Sequence, residues 1–163
     1  MPNKITPMLW FNNQAEEAMR FYLSVFKDSK ELGVSRYNEA AQEAGLGAVP
    51  GSVMTADFEL FGQAFTALNG GPEFNFSEAI SFVIHCESQD EVDYYWDKLL
   101  EGGEPSQCGW LKDKFGVFWQ VVPDELFALM NDGDPAKAKR VTEAMLKMVK
   151  LDLNELRRAR DTA

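Results

Sequence analysis

The chain has 163 residues, 45% of them apolar, with 16 basic against 26 acidic side chains and a net charge of −10. That composition is globular, suiting one domain or two similar halves, and its acidity repels nucleic-acid phosphates and anionic lipid, so neither is an expected partner. No apolar run reaches the ~18 residues of a membrane span, no signal-like leader is visible, and Cys86 and Cys108 lack CxxC spacing, so a reduced cytoplasmic protein is expected.

The first expected strand is Ile5–Phe11, with Pro7 favouring an edge because it lacks a backbone donor. Asn12-Asn13 offers a helix N-cap, with Glu16 placed as in a capping box. Ala15, Ala18, Met19, Tyr22, Val25 and Phe26 then recur at helical spacing. Strands are expected at Lys30–Tyr37 and Ser52–Leu60, and a tight turn at Phe61-Gly62-Gln63 leads into Ala64–Asn69. The intervening Ala40–Pro50 reads as a mobile loop or short helix.

Gly70-Gly71-Pro72 breaks the pattern, which then restarts. Ala79–His85 is the next strand, and Ser88-Gln-Asp-Glu91 is a capping box before a helix carrying Val92, Tyr95, Trp96, Leu99 and Leu100. Two strands follow, around Glu104–Leu111 and Val117–Val122, joined by the charged turn Lys112–Gly116. A shift of 74 superposes Leu9 on Val83, Ala18 on Val92 and Tyr22 on Trp96, a weak internal repeat of strand–helix–strands. The tail is helical: Asp124–Met130, a helix opened by Asp134-Pro135, and a last short one from Asp152 through Leu156. The apolar stripe Ala138, Val141, Met145, Met148 and Val149 must hide against the chain's own sheet edge or a partner subunit. Charge changes at the same boundary: residues 1–122 carry 8 basic and 18 acidic side chains, the remainder 8 of each.

Tandem βαβββ modules are the signature of the vicinal-oxygen-chelate (glyoxalase/bleomycin-resistance/dihydroxybiphenyl-dioxygenase) superfamily. The chain resembles its PhnB-like branch through Leu9–Tyr22, Leu68-Asn-Gly-Gly-Pro72, Gln89–Trp96, Cys108–Pro123 and the tail Arg140–Asp152. The resemblance implies an α+β fold of two tandem βαβββ modules forming an incomplete barrel, plus C-terminal helices. Residues 1–123 would be the glyoxalase-like domain, with modules of about 1–71 and 72–123, and 124–163 a helical extension. A homodimer is also implied. A ferredoxin-like arrangement is the competing fold.

In metal-dependent relatives each module supplies ligands from its first and last strands. Those positions fall here on Pro7, Ser81, near Thr66 and on Gln120, none of them a His or carboxylate. The expectation is therefore no cofactor and no metal. His85 shares a strand face with Ser81 and reads either as a general base or, more ordinarily, as a strand-end His bonded to a backbone carbonyl. Neighbours in a strand point oppositely, so Cys86 cannot pair with His85. If Gln120 lines a cavity so does Phe118, while Trp119 packs under a helix. Thr66, Asn69, Ser81, His85, Phe118 and Gln120 are the candidate cavity residues for an unidentified small molecule, flat or partly apolar. The rival function is a lyase, isomerase or dioxygenase acting on a small oxygenated substrate. A regulatory dimer with a vestigial cavity is the third.

Overall fold

The computed structural model describes residues 3–162, in two compact units, one reaching Asn75 and the other starting at Phe76. The first contains β1 (Met8–Phe11), α1 (Ala15–Val25), β2 (Ser29–Arg36), α2 (Glu39–Glu43), β3 (Val53–Leu60) and β4 (Gln63–Asn69). Its sheet order is β1-β4-β3-β2, with β1 parallel to β4 and the other pairs antiparallel. Apolar alternation decides which face α1 covers. Leu9, Phe11, Ala56, Phe58, Leu60, Phe65 and Ala67 are buried with Ala15, Ala18, Met19, Tyr22 and Val25 of the helix. Phe58 stacks between Tyr22 and Phe65. Met8, Trp10, Thr55, Asp57, Thr66 and Leu68 alternate onto the other, more open face. Phe61-Gly62 forms the expected turn, and both residues have positive φ, 49° and 77°. That is the type I′ geometry a two-residue hairpin needs.

The second unit repeats the plan with β5 (Phe82–Cys86), α3 (Gln89–Leu100), β6 (Glu104–Pro105), β7 (Trp110–Lys112) and β8 (Phe118–Pro123), in the order β5-β8-β7-β6. The two modules are thus both βαβββ, and the fold is α+β. The expected single strand at Glu104–Leu111 is two strands. Cys108 and Gly109 both take positive φ, 56° and 85°, and turn the chain back so that Glu104 pairs with Lys112. The repeat also carries two offsets. Helix positions superpose at 74, Tyr22 on Trp96, but strand facing matches at 75, because buried Leu9 and Phe11 correspond to Ile84 and Cys86. The β–α turn is one residue shorter in the second module.

Three helices follow: α4 (Glu125–Met130), α5 (Pro135–Met145) and α6 (Leu153–Asp161), the last running five residues beyond the expected end. Val122, Leu126, Leu129, Val141, Leu151, Leu153 and Leu156 make a core of their own, flanked by Ala144, Met145 and Met148. Val141, Met145 and Met148 of the amphipathic stripe thus pack within the chain, whereas Val149 stays 41% exposed. The 146–152 segment is pinned to the module by backbone bonds, Cys108 N–H to Met148 O and Gly109 N–H to Val149 O, both 2.8 Å. Gln89 adds two more: its amide donates to Leu151 O at 3.1 Å and its carbonyl accepts from Leu153 N at 2.8 Å. Among the described residues, no helix is long and apolar enough to cross a membrane.

Candidate functional site

Strand alternation puts Ser81, Val83 and His85 of the β5 segment on one face with Phe118, Gln120 and Val122 of β8, since Val83 pairs with Gln120 and His85 with Val122. Trp110 and Lys112 of β7 join them through the pairs Trp110–Gln120 and Lys112–Phe118. Ile84, Cys86, Trp119 and Val121 occupy the opposite face, buried beneath α3 with Val92, Tyr95, Trp96 and Leu99. Gln120 Nε2 donates to Ser81 Oγ at 2.9 Å, which leaves the Ser81 hydroxyl proton and the Gln120 amide oxygen for a ligand. Val83 is 41% exposed, whereas Phe118 is buried.

His85 has a side-chain partner, not a backbone carbonyl: its Nδ1 lies 3.1 Å from Asp124 Oδ1, and Phe127 sits 5.9 Å from its ring. Cys86 is inert by comparison. It is buried, and desolvation raises its thiol to about 12, so it is neither a thiolate nor on the His85 face.

In the first module Thr66 lies on the open face, where its hydroxyl donates to Asp57 Oδ1 at 2.6 Å. Ser35 and Thr55 pair on the neighbouring strands, their hydroxyl oxygens 2.5 Å apart. Asn69 is different. It shares the parity of Phe65 and Ala67 and turns to the helix side, where Oδ1 accepts from Ala15 N at 2.8 Å and Nδ2 donates to Val53 O at 3.1 Å. It therefore caps α1 from the end of β4, in place of Asn12 or Asn13. Gln14 occupies the N-cap position and makes no side-chain capping bond. Tyr37 Oη donates to Asn69 O at 2.5 Å. Beside this junction lies an open cavity of about 670 Å³, bordered by Asn12, Glu16, Tyr37, Leu46, Val49 and Asn69.

The glycines of Leu68–Pro72 have a packing reason. The Trp10 indole lies against Gly70 so closely that a Cβ there would stand 2.4 Å from the ring. Trp10 Nε1 donates to Gly71 O at 2.9 Å, and Phe74 packs edge-on at 4.8 Å. The longer glycine-rich stretch, Gly45–Gly51, joins α2 to β3 and so does not lead from a strand into a helix as a nucleotide-binding loop does.

A metal site does not fit the carried-over positions. The strand offset of 75 matches Ser81 with Thr6, and Pro7 falls on the other face. Thr6, Thr66, Ser81 and Gln120 offer hydroxyls and an amide, not the imidazoles, thiolates or carboxylates a divalent transition metal requires. Among the described residues no three His, Cys, Asp or Glu side chains group as ligands.

The family described as 3-demethylubiquinone-9 3-methyltransferase matches residues 3–122. The PhnB protein of Bacillus cereus, described under the same methyltransferase name, is 37% identical over 74% of this chain and 99% of its own, with a TM-score of 0.64. Protein PA1353 from Pseudomonas aeruginosa is similar in fold, at 21% identity over 74% of this chain and 97% of its own, TM-score 0.58. The fosfomycin resistance protein FosX from Listeria monocytogenes, complexed with Mn(II) and sulfate, is 12% identical over 76% of this chain and 90% of its own, TM-score 0.51. No curated protein matches. The family match over both βαβββ modules and the 37% identity to a PhnB protein place the chain in the PhnB-like 3-demethylubiquinone-9 3-methyltransferase family of the vicinal-oxygen-chelate superfamily.

Proposed function

We propose that the chain binds a small, partly apolar organic molecule on the face of its second sheet that carries Ser81, Val83, His85 and Gln120, without a transition metal and without methyl transfer. The observation that carries this reading is the Gln120–Ser81 pair. Two polar side chains, each with hydrogen-bonding capacity to spare, sit between the apolar Val83 and Phe118 on a face whose strands carry no metal-type donor set. A few placed polar groups on an apolar floor orient a ligand and select it. The Gly45–Gly51 connection, running from helix to strand, gives a nucleotide-type methyl donor no matching loop.

Native mass spectrometry of freshly purified protein, followed by a thermal-shift screen of flat oxygenated metabolites, tests the reading. A retained or added organic mass that raises Tm is expected, and Gln120→Ala should weaken binding roughly tenfold through the lost hydrogen bond. The same spectrum reads subunit count, with a homodimer expected. Stoichiometric zinc, nickel, iron or manganese would overturn the metal-free reading in favour of a lyase, isomerase or dioxygenase.

A further inference from the structure

The family match ends at residue 122, yet His85 finds a hydrogen-bond partner and a ring neighbour beyond that point, in Asp124 and Phe127. Asp124 is held by the sheet. Its N–H donates to Cys86 O at 2.8 Å, continuing the β5·β8 ladder one step past Cys86–Pro123. Its parity matches Gln120 and Val122, so the carboxylate falls on the His85 face. Asp124 also occupies the N-cap position of α4 and makes no side-chain capping bond there. An aspartate at that position ordinarily caps; this one is directed to the imidazole. A carboxylate accepts and does not donate, so the proton of the neutral ring sits on Nδ1 and the Nε2 lone pair faces outward. The His85 side chain is 59% exposed, and among the described residues its ring bonds to Asp124 through Nδ1, not Nε2. Val83 and Phe127, 41% and 48% exposed, flank it with apolar surface.

We propose that the C-terminal extension completes the ligand face of the second module: Asp124 is a positioning residue that fixes His85 with Nε2 outward, and His85 accepts a hydrogen bond from a hydroxyl carried on a flat apolar ligand that rests on Val83 and Phe127. This deepens the small-molecule reading above and rests on it. The chemistry selects for the hydroxyl, because an ether of the same shape has no proton to offer Nε2.

The test uses full-length, tag-free protein. The chain contains one histidine, so its ring nitrogens, followed by NMR, report this site alone. Without ligand, the Nδ1–H tautomer is expected in the wild type and in Asp124→Asn, which keeps an acceptor oxygen. Asp124→Ala should revert to the Nε2–H form that free imidazole side chains prefer. A wild-type Nε2–H tautomer, or one indifferent to Asp124→Ala, overturns the positioning role. The probes are 2-naphthol and its methyl ether. The naphthol should move the Nε2 resonance and bind roughly tenfold more tightly than the ether, an advantage lost in Asp124→Ala. Phe127→Ala should weaken both probes. Equal binding of the two with Nε2 unmoved overturns this inference and leaves the general binding reading standing. Failure of every compound in the thermal-shift screen, these two included, sinks that reading and the hydroxyl contact together, while the tautomer still decides the role of Asp124.

Discussion

The two modules solve the same structural problems by different means. Each must start a helix after its first strand. In the second, the cap is local: Ser88 Oγ accepts from Glu91 N at 3.2 Å, and the Glu91 carboxylate accepts from Glu87 N at 2.7 Å, one residue earlier than a regular capping box. In the first, Asn69 reaches Ala15 across 54 residues of sequence. Each must also turn its last hairpin. The first uses two residues, Phe61-Gly62, both with positive φ. The second uses Asp113, only 1% exposed, whose Oδ1 accepts from Phe115 N and Val117 N at 2.9 and 3.0 Å and whose Oδ2 accepts from Trp119 Nε1 at 2.9 Å. The expected charged turn is thus organised around a buried carboxylate. Topology constrains where a cap or turn must be; it leaves open which side chain makes it.

Removing Asp113 should break this comparison most severely. Asp113→Ala leaves three buried or half-buried N–H groups without an acceptor and should cost about 4 kcal/mol. Urea unfolding checks it. A loss below about 1 kcal/mol would mean that water replaces the carboxylate and that the second hairpin does not depend on it.

The two caps give the next contrast. Asn69→Ala removes the acceptor for Ala15 and the donor to Val53 together and should cost about 2 kcal/mol, whereas Ser88→Ala loses one capping bond, about 1 kcal/mol. Equal losses in parallel melts would show that the long-range cap adds nothing beyond a local one.

The smallest effect concerns the extension. The Lys150 ammonium, hydrogen-bonded to Asp93, and then the Gln89 amide hold the Asp93 carboxyl below its ordinary range. The Arg157 guanidinium does the same for Glu125. Depressed folded-state values mean that this stabilisation is present above the ordinary carboxylate range and is lost as pH falls through the lowered values. Both pairs are solvated, so their contribution is small and weakened further by salt. Protection factors in α5 and α6, corrected for the intrinsic slowing of amide exchange in acid, should therefore fall modestly as pH drops through the lowered values and be less pH-sensitive at high salt. An acid response unchanged in Lys150→Ala would assign it elsewhere.

Legibility in the sequence followed the range of the interaction. Helix and strand positions were readable because burial imposes periods of 3.6 and 2 on neighbours in the chain. The Phe61-Gly62 turn and the Asp134 and Asp152 caps were readable for the same local reason, and both aspartates do accept from the N-terminal turns they precede. The shift of 74 was right for the helices and wrong by one for strand facing. A one-residue change in a β–α turn leaves helical spacing intact and reverses a strand's sides. Asp124 was missed as a partner of His85 because the strand was read as ending at Val122 and proline follows; carrying the alternation two residues further would have found it. The turn at Cys108-Gly109 had no plain signal, since Cys rarely takes positive φ.

The sequence by itself determined a strand–helix–strands plan met twice and followed by amphipathic helices, an acidic balance of charge, and Thr, Ser and Gln near the ligand positions carried over from metal-dependent relatives. These are properties of composition, period and residue type, readable one segment at a time. Only the tertiary structure decided that Asn69 is a helix cap and Thr66 an open-face hydroxyl, that the tail's apolar stripe closes on Leu151, Leu153 and Leu156, and that Asp113 is buried. It also decided that the extension delivers Asp124 and Phe127 to His85. Each of these depends on which distant segment arrives at a given face, and that is set by the packing of sheets and helices, which local spacing does not encode.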